Sequence, residues 1–72
     1  GYTDTPMVAA AVNEIAAKTG RDATATLASI TASNPMRRLI KPEEIAACVA
    51  WLCRDESASV TGSAIAIAGG EI

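Results

Sequence analysis

Histidine and phenylalanine are both absent from this 72-residue chain, and Tyr2 and Trp51 are its two aromatic residues. Without histidine it lacks the commonest general base and the commonest nitrogen ligand for zinc. Cys48 and Cys53, at a C-x4-C spacing, do not make up a tetrahedral site by themselves, so no metal is expected. In a helical pattern these cysteines sit about 140° apart around the axis, too divergent for a local disulfide. Such thiols point to a reducing, cytoplasmic setting. Positive charge is scarce as well. Six Lys and Arg face eight Asp and Glu, for a net charge of −2 and a pI near 4.8, and the basic residues are scattered apart from Arg37 and Arg38. Nucleic acid is therefore not an expected partner. No apolar run approaches the roughly 20 residues of a membrane-spanning helix, so no membrane partner is expected either. The opening has neither an initiator methionine nor a charged signal-type segment, and a chain that begins at Gly1 reads as the remainder of something longer.

What the chain does have is alanine. Hydrophobic residues make up 50% of it, but alanine supplies much of that share, and small side chains bury little area per residue. Ordering costs about 1.5 kcal/mol per residue, so a chain of this size only breaks even with help from outside. A mean hydropathy of +0.26 and 19% charged residues argue against intrinsic disorder. The composition is that of a piece of a globular interior, one domain at most.

Thr5 followed by Pro6 supplies an N-cap and a first helical residue. Met7, Ala11 and Ile15, with Val8 and Val12 beside them, recur at helical spacing as far as Lys18, and Gly20 is the expected left-handed cap. Asp22 caps a second expected helix over about residues 23–33, with a narrow stripe of Leu27 and Ile30, and Asn34-Pro35 ends it. Residues 36–41 form a connector. Pro42, Glu43 and Glu44 open a third helix, with carboxylates at its positive end; Ile45, Val49 and Leu52 share one face, and Arg54 is expected at its negative end. After a polar turn through Ser57 and Thr61 to Gly62, residues 64–68 are continuously apolar and end in Gly69-Gly70. A strand there is apolar on both faces and finds no partner strand in this sequence, so its partners are expected outside it. Helix, helix, helix, strand is the order of the tail of an α/β layer fold.

Chemistry is hard to place on these residues. Neither cysteine has an evident base partner, and no catalytic residue is assigned. Glu43 and Glu44 are adjacent, which suits partners of the helix dipole better than a facing carboxylate pair. Gly69-Gly70 lacks the spacing of a phosphate loop and reads as a tight chain exit. Arg37 and Arg38 suit either an anionic ligand or ion pairs and carbonyl caps. Trp51 lies off the centre line of its helix, at the edge of the core or at a subunit contact.

The motifs taken in order resemble a known family. Gly1-Tyr2-Thr3-Asp4-Thr5-Pro6-Met7, Asn34-Pro35-Met36-Arg37-Arg38-Leu39, Pro42-Glu43-Glu44-Ile45-Ala46, Leu52, Val60-Thr61-Gly62 and Ile65 to Gly70 are similar to the C-terminal part of short-chain dehydrogenases/reductases, and the resemblance spans the whole chain. It implies an α/β fold, the C-terminal part of a doubly wound parallel Rossmann sheet. The cofactor-contact loop and substrate lid would occupy residues 1–33, and the last helix and edge strand residues 34–72. Gly1 matches the second member of a Pro-Gly pair after the sixth strand and is counted with the implied cofactor-binding residues. Thr3 matches a position that offers backbone groups to the nicotinamide carboxamide, and Thr5 one that offers its hydroxyl to the same group. Met7, Val8 and Ala11 fall on the implied lid. One departure is Ala68, where many members place Asp.

The family's glycine-rich turn, its catalytic Ser and its Tyr-x-x-x-Lys pair precede the implied position of Gly1, and Tyr2 cannot replace that pair because Pro6 stands where the Lys would be. The implied activity of the complete protein is hydride transfer between NAD(P) and a carbonyl or alcohol substrate, and the tail looks like members that act on 3-oxoacyl or 3-hydroxyacyl thioesters. The residues that choose between NAD and NADP lie near the family's early strands. Implied partners are the upstream part of the same Rossmann domain, the small-molecule substrate and further copies of the protein in a tetramer or dimer. A rival reading is a free-standing, non-enzymatic helical module that oligomerises through Ile45, Val49 and Leu52.

Overall fold

The computed structural model describes residues 1–71. Three α-helices follow one another, α1 (Pro6–Thr19), α2 (Ala23–Thr31) and α3 (Pro42–Leu52), and a 3-10 turn spans Asp55–Ser57. The local signals act as expected. Thr5 is extended, its Oγ1 accepts the Val8 N–H at 3.3 Å, and Pro6 occupies the first turn, where its missing N–H costs nothing. Gly20 closes α1 in the left-handed region at φ 71°. Asp22 Oδ1 accepts the Ala25 N–H at 2.7 Å and so starts α2.

α2 stops at Thr31, short of the expected residue 33. The Thr31 hydroxyl turns back to the Leu27 carbonyl at 3.1 Å. Beyond it the backbone tightens to three-residue bonds, Ala32 N–H to Ser29 C=O and Asn34 N–H to Thr31 C=O, and Pro35 then bars a further turn. At the far end of α3, Arg54 is drawn away from the helix carbonyls and pairs with Glu56 at 2.5 Å. The carbonyls there are served by Ser57, a buried residue whose Oγ lies 2.8 Å from Trp51 O, 3.0 Å from Leu52 O and 2.9 Å from Arg54 O.

The connector between α2 and α3 runs beside the first residues of the chain. Ile40 N–H donates to Tyr2 C=O at 2.9 Å and Asp4 N–H donates to Ile40 C=O at 2.7 Å, forming a parallel bridge between Thr3 and Ile40. The strand expected over residues 64–68 is not formed: the segment carries no ladder pairing, and no named strand occurs among the described residues. A strand exists only through hydrogen bonds to a neighbour, and these residues meet none. The tail is instead anchored by its turn. Met36 N–H donates to Gly69 C=O at 3.2 Å and Ser33 Oγ donates to Glu71 Oε2 at 3.0 Å.

Val12, 7% exposed, and Ile40, 1% exposed, are the buried apolar residues among those described. The radius of gyration is 15.4 Å and the extents are 50 × 22 × 17 Å; a compact globule of this length would measure about 11 Å. On the apolar face expected on α3, Val49 is 54% exposed and Leu52 is exposed, while Ile45 is half-buried; Trp51, beside that face, is exposed as well.

Candidate functional site

Pairing on one edge of a parallel bridge uses alternate residues, and this decides what Thr3 can do. Tyr2 C=O and Asp4 N–H face Ile40, so the N–H and C=O of Thr3 point to the opposite edge and make no hydrogen bond among the described residues. Thr3 is half-buried. Two residues on, Thr5 Oγ1 spends acceptor capacity on the Val8 N–H, which leaves its own hydroxyl hydrogen to donate. A free donor, a free acceptor and a free hydroxyl hydrogen thus lie together beside the positive end of α1. This set is complementary to a primary carboxamide, which offers one carbonyl oxygen and two N–H groups. A Cβ on Gly1 would lie 3.1 Å from Ala68 Cα and Ala68 O, so the start of this loop packs against the tail.

The three lid residues part company. Val8 is half-buried and lines an apolar cleft of about 270 Å³ between α1, α2 and Leu39, whereas Met7 is 81% exposed and Ala11 is exposed, and neither lines it. Past the shared residues Asp4, Leu27 and Leu39 the cleft widens into a hollow of about 620 Å³ that also takes in Arg37 and Lys41. Of these cleft residues Leu27 was signalled by its helical stripe; Asp4 carried no local signal, because only folding brings it opposite α2.

The two arginines of the connector have separate tasks. Arg38 forms a two-pronged pair with Glu44, at 2.6 and 3.1 Å, and also donates to Leu39 O at 3.1 Å. Glu44 Oε1 further accepts the Lys41 N–H at 3.0 Å, tying the connector to the first turn of α3. The Arg38 hydrogen bond, and then that of Lys41, lower the Glu44 carboxyl from its ordinary 4.5 to about 2, and Glu44 raises the Arg38 guanidinium. A carboxyl lowered by folding stabilises above its unfolded pKa and loses that contribution as pH falls through its folded pKa. Stability should therefore fall between about pH 5 and pH 2. A Glu44→Gln variant should show a flatter urea midpoint over that window, and equal slopes for the two proteins would refute the linkage. Arg37 is the one non-glycine residue at positive φ among those described, at 54°, and its side chain makes no hydrogen bond or ion pair there.

Residues 2–71 match a family model described as enoyl-(acyl carrier protein) reductase. The chain belongs to the short-chain dehydrogenase/reductase family. Over 70 residues, 97% of this chain, it is 40% identical to an acetoacetyl-CoA reductase of Acinetobacter sp. (strain RA3849) and 39% identical to the cis-4-hydroxycyclohexanecarboxylate dehydrogenase of Sinomonas cyclohexanicum. A short-chain reductase of Streptomyces niveus is 36% identical over the same length. The match covers 24%, 24% and 25% of those proteins, so the chain spans about a quarter of the length of the curated relatives it matches. Membership of this family carries a Rossmann α/β architecture, of which the described residues supply helices and one bridge. Among the described residues no helix is long and apolar enough to cross a membrane, and no cluster of three or more His, Cys, Asp or Glu could hold a metal ion. Cys48 is half-buried, Cys53 is exposed, and both are free thiols.

Proposed function

We propose that this chain is the C-terminal part of an NAD(P)-dependent oxidoreductase that moves a hydride between the nicotinamide and a carbonyl or alcohol carbon. The carrying observation is the unpaired Thr3 backbone beside the Thr5 hydroxyl, a donor and acceptor set matched to the nicotinamide carboxamide, in a chain of this family. In this reading Thr3 binds the amide through its main chain, Thr5 orients it, and Gly1 holds the loop by its contact with Ala68. The nicotinamide, when bound, would give the hydride to a carbonyl carbon or accept it from an alcohol carbon. The helices α1 and α2, with Met7, Val8 and Ala11, form a lid that excludes water from the reaction. The proton-transfer groups and the rest of the Rossmann sheet belong to the upstream part of the domain, with residues 64–68 as an edge strand on that sheet.

The substrate class proposed is a 3-oxoacyl or 3-hydroxyacyl thioester. The relative from Acinetobacter, an acetoacetyl-CoA reductase, favours it over a simple ketone. The open face of α3 with Trp51 suits a subunit contact in a dimer or tetramer, and the free thiols suit a cytoplasmic setting. A free-standing helical module has less support, since two buried apolar side chains among the described residues and an extended shape give it no core of its own.

Thr5→Val tests the cofactor role. Valine keeps the shape and removes the hydroxyl, so the KM for the nicotinamide cofactor should rise about fivefold in the complete enzyme, the worth of one hydrogen bond of about 1 kcal/mol. Unchanged cofactor kinetics in a folded variant would refute it.

A further inference from the structure

Three arginines and one lysine lie near α2 and the connector, and the structure separates those already engaged from those that are not. Arg21, in the turn before α2, is held against that helix, its guanidinium donating to Ser29 Oγ at 2.9 Å and to Ala25 O at 3.3 Å. Arg38 is neutralised by Glu44. Arg37 and the Lys41 ammonium have no partner among the described residues, and both line the 620 Å³ hollow, where Leu27, Ala28 and Leu39 form apolar walls and Asp4 is the one acid. Arg37 also holds a left-handed backbone at φ 54°, which a residue with a Cβ adopts only at a cost in stability. Placing an arginine where glycine would be more stable, with its charge unpaired at the rim of an apolar cleft, is the pattern of a residue kept for a ligand.

We infer that Arg37 and Lys41 form an anion subsite that grips a phosphate on the carrier arm of an acyl thioester, while the apolar cleft behind them takes the adjoining uncharged part of the same ligand. The inference rests on the thioester reading above and deepens it. A guanidinium and an ammonium together suit a phosphate dianion, and both are free to form charge-assisted hydrogen bonds. Arg38 contributes no net charge, because Glu44 cancels it. Arg21, engaged by Ser29 and Ala25 of α2, is outside the subsite.

The test measures equilibrium binding to the complete protein saturated with its oxidised nicotinamide cofactor, which has no hydride to give, using acetoacetyl-CoA and the matching acetoacetyl-pantetheine, which lacks every phosphate. For Arg37→Gly, the Kd of the CoA thioester should rise about tenfold while that of the pantetheine thioester stays within twofold, as expected for loss of one charged contact. Lys41→Gln should act in the same direction. Arg21→Gln, which removes the same charge elsewhere, should leave both ligands alone. Relief of the left-handed strain should raise the Tm of Arg37→Gly by a few degrees, which also certifies its fold. Equal affinities for the two thioesters in the unaltered protein, or an equal loss of both in Arg37→Gly, would overturn the subsite. Because binding is read without turnover, the two readings fail separately. A protein that binds the CoA thioester through Arg37 but reduces no thioester would overturn the proposed substrate and leave the subsite standing.

Discussion

Replacing Gly69 with alanine should destabilise the complete protein by about 4 kcal/mol, read as a shift in its urea midpoint. Two costs combine. Gly69 sits at φ 63°, in the left-handed region, and a Cβ built on it would overlap the side-chain amide of Asn34. That amide has nowhere to retreat. Asn34 is 3% exposed, its Oδ1 accepts the Met36 N–H at 2.8 Å and its Nδ2 donates to Arg38 O at 2.9 Å. Any shift that admits the new methyl group therefore breaks hydrogen bonds in the turn that leads to the Arg38–Glu44 pair. A midpoint unchanged from the parent would mean that the tail does not pack on this turn.

Asn34→Ala is the complementary change and should cost about 3 kcal/mol, because it takes from the Met36 N–H its shorter bond, leaving Gly69 C=O at 3.2 Å, takes the Asn34 donor from the Arg38 C=O, and empties a buried site. Its value lies in the pair. Once the amide is gone, the methyl group of Ala at position 69 meets space, and only the backbone strain remains. The double variant should thus cost about 4 kcal/mol, well below the sum of the two single changes. Additive costs would show that the two residues do not touch. The cofactor KM of a folded Asn34→Ala protein should stay near the parent value, since Thr3 and Thr5 are held by Ile40 and by the first turn of α1.

Legibility in this chain follows the range of the interaction. Thr5-Pro6, Gly20, Asp22 and Pro42 each act on backbone groups within four residues, so the starts of all three helices and the end of the first can be read from neighbouring letters. The end of α2 is less legible, because the Thr31 hydroxyl can bond to the Leu27 carbonyl in a helix that stops or continues. Ser57 is a further case. As one of several serines in a polar stretch it carries no signal, yet it becomes the buried partner of the α3 carbonyls once the 3-10 turn brings it beneath them.

The candidate site divides in the same way. The order of motifs from Gly1 to Gly70 was enough to point to the family, and the match over residues 2–71 agrees with it. The unpaired edge of Thr3 was not legible, since it depends on Ile40 arriving from beyond two helices to take up the other edge. Nor could letters alone sort Arg37 from Arg38. They are neighbours of identical chemistry, and what separates them is that Glu44, one turn into α3, lies within reach of Arg38.

By itself, then, the sequence determined the starts of the three helices, the end of the first and the family, because those caps act within a turn and the family motifs stand in fixed order along the chain. Tertiary structure alone decided that Thr3 keeps a free edge, that Arg37 and Lys41 remain unpaired beside an apolar cleft, and that Gly69 must lack a side chain. Each of these depends on which distant segment arrives alongside, and such pairing is set by the closure of long loops and the packing they allow.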